Sequence, residues 1–279
     1  MLVCLYVDDL IHTGDDENMC KRFKLSMHLI YTGDDENMCK RFKLSMQQEF
    51  EMTDLGKMKF FLGVEVYQNE GGIHLCQKKY AKEVLEKFNM SNCNAIKNPI
   101  VPGTFLSKSG SKSVNATLYK QLVGCLIYLT VTHPDLMFVV CLISCYMADP
   151  KEEHMLIAKR VLRYLKGTLD VGVYYKWSKD ANLLGYTDSD YARDIDDRKS
   201  TSGYVFFLNG AVICWSSRKQ GIVTLSSTEA ENVAATASAC HGVWLKGILK
   251  ELGVLSSECI DIMCDISSAI KLAKNLVMY

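Results

Sequence analysis

The stretch that decides the fold is Gly185–Ala235, GYTDSDYARDIDDRKSTSGYVFFLNGAVICWSSRKQGIVTLSSTEAENVAA. Its centre consists of two β-rich runs joined by Asn209 and Gly210, the dipeptide that a two-residue hairpin turn prefers. Further along, Ser226 with Glu229 and Thr228 with Glu231 both have the spacing of a capping box, in which a serine or threonine and a glutamate satisfy the first turn of a helix. The stretch therefore predicts a hairpin followed by a helix.

The segments on either side complete a predicted α/β domain. Leu183–Thr187 and Ile260–Cys264 have the composition of strands, and Ser267–Lys274 has that of a helix. The resulting order is three strands, a helix, a strand and a helix. Because a helix that crosses between strands is typical of α/β layer folds, we expect a mixed sheet covered by helices.

Three acidic residues occupy comparable places in this domain. Asp188 follows the first strand, Glu229 lies in the first turn of the long helix, and Asp265 follows the later strand. Clustered carboxylates raise one another's pKa unless a cation neutralises them, and their oxygens suit Mg²⁺ or Mn²⁺. Two such ions can stabilise the attacking and leaving oxygens of a phosphodiester cleavage. The same residues also fit ordinary helix capping and turn chemistry, so spacing alone leaves both interpretations open.

The N-terminal part contains a hairpin pattern and a tandem duplication. Val3–Tyr6 is β-rich and is followed by Asp8, Asp9 and a second apolar step, which predicts strand, tight turn, strand. The fifteen letters TGDDENMCKRFKLSM then occur twice, at Thr13–Met27 and Thr32–Met46, with a period of nineteen residues. Two copies cannot build a solenoid, which needs about three or more repeats.

The middle of the chain combines a hairpin, a linker and helices. Two β-rich runs between Phe60 and Cys76 meet at a glycine turn. The irregular segment Asn92–Val114 is expected to be a linker or an extended crossing. Tyr119–Met147 predicts two buried helices, and Glu152–Lys166 predicts an amphipathic helix with a basic outer face.

The composition is that of a globular chain without a dominant charge. The 279 residues are 48% hydrophobic and 23% charged, and 32 basic residues balance 32 acidic ones. These values exclude a largely disordered chain and a uniformly basic protein that coats nucleic acid. No apolar run reaches the roughly 18–20 residues of a spanning helix, and no signal-peptide pattern opens the chain. We therefore expect an intracellular protein that is not secreted and does not cross a membrane, with its cysteines as free thiols.

Several stretches together resemble copia-type retrotransposon Pol polyproteins. The segment from about Leu183 to Val277 is similar to their ribonuclease H domain, and Tyr6–Asp9 resembles the Tyr-x-Asp-Asp hairpin of reverse transcriptases. The stretches DLGKMKFFLGVEV, QLVGCLIYLTVTHPDLMFVV and AKRVLRYLKGTLD resemble the region between these two parts.

The resemblance implies a ribonuclease H-like mixed-sheet α/β domain, preceded by a partial α+β reverse-transcriptase palm, thumb and connection region. The implied boundaries are 1–100 for the partial palm and thumb, 101–180 for the helical connection and 181–279 for the ribonuclease H-like domain. An RNA/DNA hybrid or another nucleic acid is the implied partner, in cytoplasm or nucleus. Mg²⁺ or Mn²⁺ is the implied cofactor. Its implied ligands are Asp188, Glu229 and Asp265 for ribonuclease H, and Asp8 and Asp9 for the polymerase.

Departures from the family pattern bear on activity. In the family, a third polymerase carboxylate precedes the Asp-Asp hairpin, and a fourth ribonuclease H acid lies beyond the equivalent of Tyr279. We therefore expect no polymerase activity from this chain alone, and a weakened ribonuclease H. Arg193, Asn232 and Ile266 stand where the family usually has glycine, an aromatic residue and asparagine. The sequence leaves open whether another chain supplies the missing polymerase parts.

Two groups of basic residues are candidates for phosphate contacts. One group lies on the amphipathic helix, and the other flanks the acidic residues of the last domain. As nucleic-acid contacts they would give salt-dependent binding, whereas as ordinary surface residues they would only solvate a packed element. The candidates are Lys159, Arg160, Arg163 and Lys166 in the first group, and Arg198, Lys199, Arg218 and Lys219 in the second.

The sequence supports three functional hypotheses. The first is metal-dependent ribonuclease H activity that is lost on Asp188→Asn. The second is a catalytically dead remnant that binds nucleic acid without needing Mg²⁺. The third is a relic without a selected function, which would be poorly soluble and would not unfold cooperatively. Whether the chain is an enzyme stays open at this point.

Overall fold

A computed structural model of the chain describes residues 2–6, 9–13, 27–31, 44, 48, 52–109, 112–178, 182–252, 254 and 259–274. The chain divides into two compact units, Met1–Leu62 and Gly63–Tyr279. The sequence-based boundaries at 100 and 180 stay predictions.

The first unit contains a sheet in the order β1-β2-β3-β4. β1 (Leu2–Tyr6) and β2 (Asp9–Thr13) pair antiparallel with Tyr6 opposite Asp9, which confirms the two predicted strands, while the predicted turn between them lies outside the described residues. The candidate polymerase residue Asp8 lies outside the described residues. Asp9 is described only through its backbone, as the first residue of β2.

The tandem duplication adds a strand to this sheet. β3 (Met27–Tyr31) begins with the last residue of the first copy and pairs parallel with β2, with Leu10 beside Leu29. The duplication extends backwards over these strands, since Leu10 and Ile11 recur as Leu29 and Ile30 at the same period. Equivalent residues of the two copies are therefore neighbours in the sheet. β4 (Met52–Lys57) pairs parallel with β3, and β5 (Phe60–Phe61) is the last strand of this unit.

The second unit begins with a hairpin and a group of helices. The hairpin consists of β6 (Val64–Asn69) and β7 (Gly72–Cys76), and β8 (Val173–Lys176) pairs antiparallel with β7. The helices between β7 and β8 are α1 (Lys78–Lys87), α2 (Ala116–Leu129), α3 (Met137–Ser144) and α4 (Glu152–Gly167).

The apolar faces of these helices form the larger core. Tyr119, Leu126 and Val161 are fully buried there. A short 3₁₀ turn, Pro134–Leu136, separates α2 from α3, because the residue before a proline disfavours the helical conformation. The predicted pair of buried helices and the predicted amphipathic helix are thus confirmed.

The last third of the chain forms a second layer of sheet and helices. Its strands lie in the order β11-β10-β9-β12, with β9, β10 and β11 antiparallel and β12 parallel to β9. This arrangement confirms the predicted mixed α/β fold. The elements are β9 (Leu183–Ser189), β10 (Thr201–Leu208), β11 (Ala211–Lys219), α5 (Ser227–Glu251), β12 (Asp261–Met263) and α6 (Ser267–Lys274).

The packing of α5 against the sheet fixes the rotation of this helix. Phe206 of β10 is fully buried beneath α5, together with Leu245 and Leu249 of the helix. A Cβ atom on Gly185 would lie 2.7 Å from Cε1 of Phe206, so the missing side chain makes room for the ring. This close packing decides which glutamate of the first turns faces the strand ends.

Candidate active site

The carboxylates meet where β9, β12 and α5 come together. Asp188 lies near the end of β9, opposite Gly203 of β10. Asp265 follows β12 by two residues, and Met263, the last residue of β12, pairs with Tyr186. Because β12 runs parallel to β9, Asp188 and Asp265 lie at the same end of the sheet, and both side chains are exposed.

The third carboxylate of this group belongs to Glu231 of α5. Glu231 is 2% exposed, and its Oε1 accepts a hydrogen bond of 3.0 Å from the backbone N–H of Ser189. The thiol of Cys264 donates to its Oε2, with 3.8 Å between sulfur and oxygen. The ligand atoms of Glu231, Cys264 and Asp265 all lie within 4.8 Å of one another.

Glu229, the glutamate singled out from the sequence, has a different place. Its backbone N–H donates to Oγ of Ser226 at 3.1 Å, and its Oε2 accepts from the backbone N–H of Leu225 at 2.7 Å. Glu229 therefore caps the start of α5. The structure places Glu231, and not Glu229, with Asp188 and Asp265, because the packed face of α5 carries Glu231.

One signal in the sequence could have pointed to Glu231. Small and apolar residues at three- and four-residue spacings form the buried stripe of α5, and they include Ala234, Ser238, Gly242, Leu245 and Leu249. Continuing this stripe backwards by three residues from Ala234 reaches position 231, whereas position 229 lies well off the stripe.

The surroundings of Glu231 favour its neutral form in the absence of a cation. Burial raises the pKa of Glu231, and the neighbouring carboxylates of Asp188 and Asp265 raise it further. The N–H of Ser189 and the thiol of Cys264 act in the opposite direction. A divalent cation would remove the repulsion among the carboxylates.

The donor atoms fit a hard cation in part. The carboxylate oxygens of Asp188, Glu231 and Asp265 are the ligand type that Mg²⁺ and Mn²⁺ prefer. The sulfur of Cys264 is a soft ligand and suits neither ion well. The three carboxylates are therefore the residues that would hold such an ion.

A cleft of about 970 Å³ opens beside the carboxylates. The sheet supplies one wall, including Asp188 and Trp215, and the start of α3 supplies the other, including Phe138. Trp215 also connects the sheet to the end of α2, since its Nε1 donates to the backbone oxygen of Thr130 at 3.0 Å. The cleft thus leads from an aromatic interior to the exposed acids.

Asp190 is a further acid in this cleft that sequence reasoning missed. Its Oδ1 accepts from the backbone N–H of Thr201 at 2.6 Å, and its Oδ2 is buried without a hydrogen-bond partner among the described residues. Burial raises the pKa of Asp190, and the positive charge of Arg193 lowers it. The short loop hydrogen bond indicates a structural role at the start of β10.

Arg193 ties the loop after β9 to the helical part of the unit. Its guanidinium carbon lies 5.6 Å from the ring centroid of Phe105 and 5.6 Å from that of Phe138. Its Nη2 donates to the backbone oxygen of Thr104 at 3.4 Å. The arginine that departs from the family pattern therefore packs between two aromatic rings.

The four basic candidates of α4 are not part of the cleft lining. Lys159 is exposed, and Lys166 and Arg160 are half-buried. Nε of Arg163 donates to the backbone oxygen of Asn94 at 2.9 Å, so this arginine fixes the linker.

The second basic group is divided between structural and exposed side chains. Nζ of Lys219 lies 2.5 Å from Asp194 and 2.8 Å from Asp197, which raises the pKa of the lysine. Nζ of Lys199 donates to the backbone oxygen of Gly221 at 2.8 Å. Arg198 and Arg218 are exposed, and Arg218 borders a groove of about 380 Å³ on the α5 side of the sheet.

Comparison with known proteins identifies the family. Residues 28–102 match the family described as reverse transcriptase (RNA-dependent DNA polymerase). The chain is 36% identical, over 99% of its own length and 20% of the relative's, to the retrovirus-related Pol polyprotein from transposon TNT 1-94 of Nicotiana tabacum. It is 33% identical to the uncharacterized mitochondrial protein AtMg00810 of Arabidopsis thaliana, over 88% of this chain and 94% of that protein. The chain belongs to the copia-type retrotransposon Pol family.

This Pol-family chain corresponds to a part of its long relatives. It is 36% identical to the Pol polyprotein from transposon RE1 of Arabidopsis thaliana, of which it spans 18%. Among solved structures, it is similar to a foamy viral protease-reverse transcriptase in complex with dsDNA, with a TM-score of 0.47 and 13% identity over 88% of this chain and 46% of the other. The predicted resemblance to a reverse-transcriptase-like Pol fragment is confirmed. No helix in the described part of the chain is both long and apolar enough to span a bilayer.

Proposed function

We propose that this chain carries a ribonuclease H site that cleaves the RNA strand of an RNA/DNA hybrid with the help of Mg²⁺ or Mn²⁺. The observation that carries the proposal is the meeting of buried Glu231 with Asp265, whose ligand atoms lie within 4.8 Å of each other, beside Asp188 at the end of β9, whose charge acts on Glu231. Burying an acid beside two others destabilises a fold unless a cation or a proton offsets the charge. Since Glu229 and Ser226 already cap α5, helix capping does not account for Glu231.

Each carboxylate has a distinct place in the proposed site. The backbone N–H of Ser189 donates to Oε1 of Glu231 and so holds this carboxylate in one orientation. Asp188 and Asp265 line the open cleft, where a phosphate group of the substrate could approach a cation that they hold. When bound, Mg²⁺ or Mn²⁺ would supply Lewis-acid stabilisation of the charge that develops on the phosphodiester oxygens.

The proposed substrate, a nucleic acid, requires basic residues in addition to the acids, because the acids alone would repel its phosphates. Phosphates need positive charge along the bound strand, and Arg198 and Arg218, which are exposed, are the members of the second basic group that offer it, Arg218 from the α5 side of the sheet. Lys219 does not, since Asp194 and Asp197 neutralise it. An intracellular place of action is part of the same proposal, since the long relatives are transposon Pol polyproteins.

The test is cleavage of a hybrid with a labelled RNA strand by the purified chain, in Mg²⁺, in Mn²⁺ and in EDTA. The expected result is cleavage that requires the metal and is lost in Asp188→Asn. Hybrid binding without cleavage by a folded sample would refute the proposal in favour of a binding remnant. A sample that does not unfold cooperatively would refute it in favour of a relic.

A further inference from the structure

Gln220 connects the two elements that carry Asp188 and Glu231, and it also contacts β10. It follows β11 and is 6% exposed. Its Nε2 donates to Oγ of Ser202 at 2.8 Å, to the backbone oxygen of Ala230 at 2.9 Å and to Oγ of Ser189 at 3.2 Å. One amide group thus joins the end of β9, the start of β10 and the first turn of α5.

The orientation of this amide follows from its partners. The backbone oxygen of Ala230 can only accept, so the nitrogen and not the oxygen of the Gln220 amide must face it. The amide nitrogen of Gln220 has two hydrogens for three acceptors. The longest of the three hydrogen bonds, to Ser189, therefore shares a hydrogen with one of the other two. Oγ of Ser189 uses its own hydrogen toward the backbone oxygen of Asp190 at 2.9 Å, which leaves its lone pairs for Gln220.

Two of the three partners are next to a carboxylate in the chain. Ala230 precedes Glu231, and Ser189 follows Asp188. The backbone N–H of the same Ser189 holds Oε1 of Glu231. Any change in the position of the Gln220 amide therefore shifts β9 relative to α5, and with it the distance between Asp188 and Glu231.

We infer that Gln220 is a positioning residue that sets the spacing of Asp188 and Glu231 for a divalent cation. This inference rests on the proposed function. It adds a residue that touches neither carboxylate and that acts through Ser189 and Ala230. Residues that hydrogen-bond a metal ligand commonly change metal affinity by about 10–100-fold when they are removed. Gln220 acts one step further out, so we expect the lower end of this range.

The chain offers a matched control in Gln77. It is buried as well, its Nε2 donates to the backbone oxygen of Tyr128 at 3.3 Å, and its Oε1 accepts from the hydroxyl of Thr132 at 2.9 Å. Gln77 lies among the helices, and none of its hydrogen bonds involves an acidic residue. Gln77→Met and Gln220→Met remove similar amides, but only the second lies beside the carboxylates.

The experiment measures Mn²⁺ binding by the full chain with calorimetry, while circular dichroism monitors the fold. We expect Gln220→Met to bind Mn²⁺ about tenfold more weakly than the wild type, and Gln77→Met to bind it equally well. Ser189→Ala, which keeps the backbone N–H, should weaken binding in part. The double variant of Ser189 and Gln220 should lose less affinity than the two single losses combined, because both changes break the hydrogen bond between these residues.

The outcomes separate this inference from the proposed function. Equal Mn²⁺ affinity of wild type and folded Gln220→Met overturns the inference and leaves the proposed function intact. If the wild type binds no Mn²⁺, the inference and the proposed function are both overturned. Both are also overturned if the Asp188→Asn and Glu231→Gln variants bind Mn²⁺ as tightly as the wild type does. If Gln220→Met does not fold, Ser189→Ala decides, and an unchanged affinity in that variant overturns the inference.

Discussion

The backbone N–H of Ser189 donates to Oε1 of Glu231 over 3.0 Å, and this hydrogen bond joins the strand that carries Asp188 to the helix that carries the buried acid. The bond links two segments that lie 42 residues apart in the chain. It also fixes one oxygen of a carboxylate whose other oxygen faces Cys264. The proposed metal site therefore depends on the packing of α5 against β9.

Replacing Glu231 with glutamine should stabilise the metal-free protein at neutral pH. Folding raises the pKa of Glu231 above its usual 4.5, so the folded state binds the proton more tightly than the unfolded chain. The contribution of Glu231 to the free energy of unfolding therefore falls as the pH rises through this raised pKa. Glutamine removes that loss, so the gain should be present at pH 8, should shrink as the pH falls through the raised pKa, and should be absent below about pH 4.5.

Urea unfolding in EDTA at both ends of this pH range measures the effect. Glu229→Gln is the control, since that residue caps the helix from an accessible position. A Glu231→Gln variant that is less stable than the wild type at pH 8 would show that the buried charge is already compensated within the fold.

A methyl group at Gly185 should destabilise the packing of α5 on the sheet formed by β9, β10, β11 and β12. The Cβ atom of Gly185→Ala would lie 2.7 Å from the ring of fully buried Phe206, so the ring or the strand has to move. Overpacking of this kind costs about 1–3 kcal/mol. Gly242→Ala is the control, because its Cβ would lie 3.3 Å from the same ring and alanine favours a helix. Chemical denaturation should rank Gly185→Ala as clearly the less stable of the two variants.

The fold was predictable from the sequence where local chemistry decides it. Asn209 and Gly210 adopt φ angles of 53° and 78°, which is the backbone that an Asn-Gly hairpin turn requires. The limits of α4 follow equally from its apolar periodicity. The parallel pairing of Leu10 with Leu29 was not predictable, because it joins two strands through contacts that no local pattern encodes.

The site was predictable only in part for the same reason. The ends of β9 and β12 place Asp188 and Asp265 once the strands are known. Which glutamate joins these aspartates depends on the rotation of α5. The capping-box spacing does not decide between the two glutamates, because Ser226 with Glu229 and Thr228 with Glu231 both have it. Packing on Phe206 selects the face that carries Glu231. Gln220 carries no motif at all, because its three hydrogen bonds exist only in the folded chain.

Arg218 and Lys219 should differ in their effect on nucleic-acid binding although they are neighbours. Arg218→Ala should reduce the slope of log affinity for the hybrid against log salt concentration by about one, which corresponds to one phosphate contact. The stability of the protein should change little. Lys219→Ala should leave that salt dependence unchanged. It should lower the free energy of unfolding by about 2 kcal/mol, since it leaves Asp194 and Asp197 without their cation. Fluorescence anisotropy across a salt series, beside urea unfolding, measures both quantities. Equal salt slopes for the two variants would contradict the assignment.

The most direct measurement compares Glu231→Gln with Glu229→Gln in metal-dependent cleavage of an RNA/DNA hybrid. Both variants remove one negative charge from the first two turns of α5. The proposed site predicts that Glu231→Gln loses activity by about a hundredfold or more, as does Asp188→Asn, while Glu229→Gln cleaves at close to the wild-type rate. Loss of cleavage in Glu229→Gln with full activity in Glu231→Gln would contradict the central claim, because the buried glutamate would then have no part in the reaction.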